Sequence, residues 1–532
     1  MIKFYSIALY YILFSGVIFS SNKPNIIFFI VDDYDKSETS VYGGNVLTPH
    51  LDELSKAGIT FNNAHMTSTV CTPSRYTCMT GRYASSSYHA ELLEACPIGT
   101  QSLPAFNVGL EDDHMNVAKV LSDHGYATGM VGKFHVGGHA LEEGPPKGIP
   151  YSEKVNQQQF DFEKNCRDVI NNFGYSWAKN IYMGNMKAPF KGHNPDWTIS
   201  AALEFVEEHQ KDPFFLYYGT TLLHGPNKEW FNSLDKPLVS GAGMLETPIS
   251  LTDRKSIIER LKKAGMDSVE KAGFLWMDDT LGLLIDKLKS CGIYDNTLIC
   301  FVADHGSTRK GSLYTINGTE VPCIMSWPNG MKAGIRSDSL IQNTDFVPTW
   351  FDLANVTLPK NYKIDGVSLK PIFKAPETSV RNYTYHEMGA SRAIKTKEWS
   401  YMTLRFTKSQ VDEMRSNDRI ALKTLSSLSG GISRGRENPN SINYDQLYHL
   451  TNDRSELKNL ANSAEYAKEL KQLQTYLKQE LSRFENRPYG EFIPSKTTLG
   501  KGEYDDLLKK LRKLNKVEKK KTKPTNPKKK KN

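Results

Sequence analysis

Several short groups of residues carry side chains suited to chemistry at an anionic centre. Asp32-Asp33 sets two carboxylates side by side, and Asp304-His305 adds a third beside an imidazole. Carboxylate oxygens suit a hard cation such as Ca2+ or Mg2+, while the imidazole leaves other metals open. Either pair alone would serve equally as a helix cap or turn; two pairs favour one shared ion. Cys71 stands in the run Cys71-Thr72-Pro73-Ser74-Arg75, followed by Thr80-Gly81-Arg82. A lone cysteine is usually a small buried hydrophobe. Four fixed residues at fixed spacing, however, recur by chance in roughly one in a thousand chains of this length at ordinary residue frequencies. Lys133 and Lys310 can clamp anionic oxygens, although a lone lysine is ordinarily a solvated charge. An imidazole ordinarily titrates near neutrality, so His135 and His224 suit general acid and base work, against the plainer reading of hydrogen-bonded structural histidines.

These residues need a scaffold that brings them together, and the hydrophobic pattern supplies one. Asn25 to Val31 is a nearly continuous apolar run, as expected of a strand buried on both faces of a parallel sheet. Similar runs occupy Pro213 to Tyr218 and Thr297 to Val302, with a shorter one at Thr128 to Val131. Helical patterns lie between them: Thr48-Pro49 opens one with a cap and a first-turn proline, and Asn116 to His124 and Ile199 to His209 follow. Alternating strands and helices predict an α/β fold with a large, mostly parallel sheet between helices. Each apolar run ends in one of the reactive groups, and ligands of such sheets bind at the carboxyl ends of strands. Beyond about residue 375 the texture changes. Ser391 to Phe406 alternates like a half-exposed strand, 408–440 is a polar loop, and Ala464 to Phe484 an amphipathic helix. The expected division is a catalytic domain over 22–374, a smaller α+β domain over 375–500 and a tail over 501–532.

At 532 residues, 39% hydrophobic and 24% charged, the chain has the bulk of a two-domain globular protein. Residues 1–21 are expected to be a secretory signal, with Lys3 ahead of the apolar Ile7 to Phe19 and small Ser20 and Ser21 after it. A membrane anchor is the alternative, but the run is short for a span and a strand starts at Asn25. That places the protein in a secreted or periplasmic setting. The seven cysteines are an odd count, which in a secreted chain points to a thiol with a task of its own; no spacing suggests a zinc site. The net charge of +8 is misleading, because residues 509–532 alone carry +12 and the remainder −4. The Lys-rich tail is expected to be disordered. It would hold a polyanionic glycan or cell surface nearby, or simply be solvated; no nucleic-acid partner is expected.

Taken in order, Asp32-Asp33, Cys71 to Arg75, Gly132-Lys133-Phe134-His135, His224-Gly225-Pro226, Asp304-His305-Gly306 and Lys310 resemble the formylglycine-dependent type I sulfatases of the alkaline phosphatase superfamily. Thr48 to Asp52, Asp365 to Leu369 and Leu447 to Leu450 with Asn459-Leu460 agree. The resemblance covers 23–485 apart from two inserts, about 84–110 and 140–190. It implies an alkaline phosphatase-like fold, oxidation of Cys71 to formylglycine by a formylglycine-generating or anaerobic sulfatase-maturating enzyme, and one Ca2+. The implied ligands are Asp32, Asp33, Asp304, His305 and the modified residue 71. A hydroxyl of the formylglycine hydrate would attack sulfur, with Asp304 assisting its deprotonation. His224, with Lys310, would protonate the leaving oxygen, and His135 would deprotonate the second hydroxyl. Arg75 and Lys133 would orient the diol and neutralise sulfate. Three departures stand out: His305 where many relatives carry Asn, Tyr34-Asp35-Lys36 in place of a glycine-rich turn, and Phe134 where Trp is more usual.

The resemblance points to a sulfated saccharide, with ulvan the first expectation and carrageenan, fucan or glycosaminoglycan behind it. Tyr88, His89, Lys187, Lys191, His193 and Asn194 in and beside the inserts are candidates to meet anionic sugars, against plain surface roles. Two rival readings are a phosphodiesterase or phosphonate hydrolase of the same superfamily and a catalytically silent binder of polyanionic glycans.

Overall fold

The computed structural model describes residues 23–490 except 139–140, 142–143, 147, 267, 406–437, 439 and 441–442. The expected signal segment, most of the 408–440 loop and the basic tail lie outside the described residues. The first ten strands are β1 (Asn25–Val31), β2 (Ile59–His65), β3 (Ala127–Lys133), β4 (Trp177–Tyr182), β5 (Phe214–Gly219), the two-residue pair β6 (Val239–Ser240) and β7 (Gly243–Met244), β8 (Thr297–Ala303), β9 (Cys323–Ser326) and β10 (Ile335–Gln342). All but β6 and β7 form one eight-stranded sheet in the order β10-β2-β9-β8-β1-β5-β3-β4. Every pairing is parallel except those of β9, which runs antiparallel to both neighbours.

The continuous apolar runs belong to β1, β5 and β8, buried at every position because both sheet faces are covered. Successive side chains alternate faces. Phe28 packs on Phe346 and Trp350, with ring centroids 5.4 and 6.1 Å away, while Phe29 meets Tyr218 and Phe301 at 4.7 and 5.4 Å. One helical layer gathers Cys71–Thr80, Val117–Asp123 and Phe346–Leu353; the other gathers Pro49–Lys56, Pro195–His209 and Ala272–Ser290. The predicted helices are present with small shifts. Val117–Asp123 starts where the Asn116 side chain accepts from the Lys119 amide at 3.1 Å. Pro195–His209 begins ahead of Ile199 because Asn194 caps it and Pro195 fits the first turn. No described helix is long and apolar enough to cross a membrane.

The smaller sheet is antiparallel, in the order β11 (Thr384–Met388), β12 (Ser391–Lys395), β13 (Trp399–Leu404) and β14 (Asp445–His449). The alternating stretch from Ser391 is therefore a hairpin and not one strand. The chain reverses at Thr396, whose amide donates to the Trp399 carbonyl and whose hydroxyl accepts from the Trp399 amide. Period-two alternation passes unbroken through such a tight turn, so the pattern alone hides the reversal. The helix Ala467–Leu481 lays Leu473 and Leu477 on this sheet beside Tyr385, Tyr401 and Tyr83. The second domain also grips the segment leading into Cys71: the Glu387 amide donates to the Thr67 carbonyl at 2.9 Å, and His386 Nδ1 bonds the Met66 carbonyl at 2.8 Å.

Candidate active site

β1 lies between β5 and β8, and β3 flanks β5, so four neighbouring strand ends open on one crevice. Backbone bonds continue past the strands and fix the exit loops. The Asp304 amide donates to the Val31 carbonyl (2.9 Å), the Asp32 amide to the Leu222 carbonyl (3.0 Å), and the Leu223 amide to the Asp32 carbonyl (2.6 Å). Asp33 and His135 both sit in the left-handed region, with φ of 56° and 63°. Non-glycine residues there cost about 1–3 kcal/mol each and persist only where the surroundings impose them; here the backbone turns Asp33 into the crevice and His135 toward the cleft beside it.

Cys71 opens the helix Cys71–Thr80, every residue of which is buried. Arg75 follows four residues on, one turn along the same face, and this is the structural content of the spacing. Pro73 falls in the first turn, where its missing amide costs nothing. Ser74 Oγ donates to the Asp304 carbonyl at 2.5 Å, tying the helix to the end of β8. Fully buried, Arg75 spreads its fork: Nε donates to Asp304 Oδ2 (3.1 Å), one terminal nitrogen to Asp32 Oδ1 (3.3 Å), and the other to the Lys133 carbonyl (3.0 Å) and the Tyr217 hydroxyl (3.2 Å).

The remaining groups close around Cys71 Sγ. It lies 3.5 Å from Asp32 Oδ1, 4.0 Å from Asp33 Oδ1, 3.4 Å from His305 Nε2, and 3.5 Å from both Lys133 Nζ and Lys310 Nζ. Lys133 Nζ donates to Asp32 Oδ2 (2.6 Å) and Lys310 Nζ to both Asp33 oxygens (2.7 and 2.9 Å). Burial pushes the Asp32 carboxyl up, but Lys133, Arg75 and His224 hold it well below the usual carboxylate range. Burial and Asp32 push the Cys71 thiol up; Lys133, Lys310 and His305 outweigh them and leave it lowered, as does a helix N-terminus.

Tautomers follow from acceptors that cannot donate. His305 Nδ1 faces the Gly306 carbonyl and His224 Nδ1 the Gly225 carbonyl, each at 3.0 Å, so both Nδ1 atoms carry the proton and Nε2 faces the carboxylates. His305 Nε2 lies 3.3 Å from Asp33 Oδ1, and His224 Nε2 lies 3.9 Å from Asp33 Oδ2. His135 stands apart. Its Nδ1 is buried without a hydrogen-bond partner, and burial, Lys133 and Arg75 lower its ring to about 3. It borders a cleft that also touches Thr72.

The donor set fits a hard cation. Ligand atoms of Asp32, Cys71 and Asp304, and of Asp33, Cys71 and His305, lie within 4.8 Å of one another, all from buried residues. Burial raises Asp304 to about 7, and burial alone would lower His305, yet Asp304 and Asp33 hold it at about 9. Adjacent buried carboxylates thus retain a proton on the imidazole that faces them, and metal binding at such sites displaces protons. Three carboxylates with one imidazole match Ca2+ better than a thiophilic metal.

Two residues of the site escaped the sequence reading. Asp35 accepts from the Ser307 and Thr308 amides at 2.6 and 3.1 Å, binding the β1 exit to the β8 exit. Tyr34 packs on Phe274 and Phe301, and Lys36 pairs with Glu320 at 2.9 Å. Side chains thus shape this loop where a glycine turn was absent; three aspartates within four residues (Asp32, Asp33 and Asp35) were the available signal. Tyr217, the hydroxyl partner of Arg75, carried none beyond its place in a strand. Phe134 fills an apolar slot beside Phe173 and Tyr175. Of the insert residues, His89 and Lys187 border the His135 cleft, and Lys187, Lys191 and His193 border a cavity at His224. Asn194 is a helix cap, and exposed Tyr88 donates to Asp113 at 2.5 Å. All seven cysteines are unpaired.

The Sulfatase family model matches residues 24–356, and a model described as N-sulphoglucosamine sulphohydrolase, C-terminal, matches 304–415. An ulvan-active sulfatase of Formosa agariphila is 27% identical over 458 residues, covering 84% of this chain and 77% of that protein. An N-acetylglucosamine-6-O-sulfatase of Bacteroides thetaiotaomicron is 23% identical over 571 residues, covering 91% and 90%. A solved structure from work on glycosaminoglycan metabolism by Bacteroides thetaiotaomicron shares the fold with a TM-score of 0.60 at 21% identity, covering 87% of this chain and 100% of that one. The α/β architecture is thus the alkaline phosphatase-like one that the motifs implied, and the chain belongs to the sulfatase family of sulfuric ester hydrolases.

Proposed function

We propose that this enzyme removes sulfate from a sulfated saccharide, with residue 71 matured from cysteine to formylglycine and Ca2+ held by Asp32, Asp33, Asp304, His305 and residue 71. The carrying observation is the position of Cys71 Sγ, within 4.0 Å of two carboxylates, an imidazole and two ammonium groups at once. A bound Ca2+ would supply Lewis acidity toward a sulfate oxygen. The hydrated aldehyde offers one hydroxyl to attack sulfur and a second whose deprotonation releases sulfate from within. Arg75 orients Asp32 and Asp304, while Lys133 and Lys310 neutralise the anion. His224, its Nε2 facing the crevice, donates to the leaving sugar oxygen from its protonated form; burial pushes this ring below its usual value, so the proton is readily given up. His135, held neutral, accepts the proton of the second hydroxyl.

The reading includes export through residues 1–21 and maturation by a formylglycine-generating or anaerobic sulfatase-maturating enzyme. Similarity to an ulvan-active sulfatase makes ulvan the first substrate to test, with carrageenan, fucan and glycosaminoglycans next. Peptide mass spectrometry of protein from its native host should show residue 71 with oxygen in place of sulfur and two hydrogens fewer. The same preparation should release sulfate from ulvan fragments and leave an aryl phosphodiester intact. An unmodified Cys71 in an active preparation would refute the assigned nucleophile.

A further inference from the structure

Two cavities adjoin the site and meet at one ridge. The larger, about 740 Å³, is bordered by Thr72 and His135 and walled by Phe106 from the first insert and Phe162 and Phe190 from the second. The smaller, about 210 Å³, contains His193 and His224. Asn185, Met186 and Lys187 line both. Pockets for drug-sized ligands run from about 300 to 1,000 Å³, so the larger cavity has room far beyond a sulfate group.

The surface chemistry points the same way. Among the described residues, the exposed large aromatic side chains are Tyr88, Phe106, Tyr151 and Phe160, and every one lies in the two inserts. Exposed apolar groups beside a cavity mark binding surfaces, and of these four Phe106 lines the larger cavity. Tyr151 also packs on Phe190, 6.4 Å between ring centroids, which continues the aromatic wall outward. On the ridge, Asn185 Oδ1 is buried and lacks a hydrogen-bond partner, an omission that a ligand hydroxyl would correct. Lys187 is exposed, and no carboxylate among the described residues pairs with it. By contrast Glu229, the acid of the smaller cavity, is neutralised by Lys191 at 2.7 Å and Lys236 at 3.3 Å.

Building on the sulfatase reading of the site, we propose that the inserts form a groove for an anionic oligosaccharide. The sulfated ring occupies the His224 cavity. The neighbouring sugars cross Asn185 and Lys187 into the aromatic cleft. Apolar ring faces pack on Phe106 and Phe162, a hydroxyl donates to Asn185, and a carboxylate or second sulfate pairs with Lys187. The enzyme therefore selects for chain length and for a second negative charge near the scissile ester.

The test uses aldehyde-bearing enzyme and ulvan fragments sorted by length. Wild-type kcat/KM for sulfate release should rise at least about tenfold from the shortest fragment to a hexasaccharide. Phe106→Ala and Lys187→Ala should each cut that long-to-short ratio several-fold. In parallel, the Cys71→Ala protein should bind the hexasaccharide, and adding Lys187→Ala should weaken that binding several-fold. A wild-type ratio near one, or a ratio unchanged in both variants, would overturn the groove. Failure to release sulfate from any fragment or from an aryl sulfate would instead sink the sulfatase reading, and the binding titration would still decide the groove.

Discussion

At the scale of single residues, Arg75 joins more of the site than any other side chain described above. It is fully buried and compensates two buried carboxylates while bonding the Lys133 carbonyl. Removing one partner of a buried ion pair typically costs about 3–5 kcal/mol, because the other charge is left unpaired. Arg75→Met should therefore lower the urea unfolding free energy by about that amount and abolish sulfate release. A stable Arg75→Met protein with wild-type turnover would contradict this role. Asp32 and Asp304 were legible in the sequence because each follows an apolar strand run, and Cys71 because its neighbours stand at fixed spacing. Asp35 and Asn185 were not, since what they do is defined by groups far away in the chain: the Ser307 and Thr308 amides for one, a shared cavity ridge for the other.

At the scale of elements, the site depends on how closely β3 approaches β5. Gly132 has φ of 81°, and a Cβ placed there would lie 2.0 Å from the Gly219 carbonyl oxygen. A left-handed L-residue costs roughly 1–2 kcal/mol before any clash, and the clash is with backbone that cannot step aside. Gly132→Ala should destabilise by at least about 2 kcal/mol and push Lys133 away from Asp32. Loss of activity together with a lower urea midpoint would agree; an unchanged midpoint would show that the strands have slack. β1, β3, β5 and β8 were legible because burial on both faces leaves a continuous apolar signature, whereas β2, β4 and β10 have partly exposed positions that break it and were not read. The β12–β13 hairpin was not, since alternation is blind to direction, and β9 gave no pattern of its own at four residues.

At the scale of the molecule, buried histidines make the fold sensitive to acid. Burial and the neighbouring His224 charge lower His193 to about 4, with Lys133 adding to the effect and Asp32 and Glu229 opposing it. An unfolded imidazole titrates near 6.5. Between these values the unfolded chain binds more protons, so stability is full above about pH 6.5 and falls as pH drops toward 4, by roughly 3 kcal/mol for this group. His65 and His386, edge to face with ring centroids 5.6 Å apart, are pushed well below their usual range by burial and act in the same direction. His193→Asn, which can keep the bond to Thr221, should flatten the decline in unfolding free energy between pH 6.5 and 4 relative to the wild type. Parallel curves for the two proteins would exclude His193 as a contributor. The smaller antiparallel sheet announced itself as a change in texture along the chain; the way it clasps Thr67 and Met66 ahead of Cys71 did not, because it joins segments some 320 residues apart.

The most direct measurement is sulfate release from ulvan fragments by matured enzyme, compared with Cys71→Ala and with chelated protein before and after Ca2+ is restored. The account predicts turnover in the wild type, none in Cys71→Ala, and loss on chelation that Ca2+ reverses. Wild-type rates from the Cys71→Ala protein would contradict it.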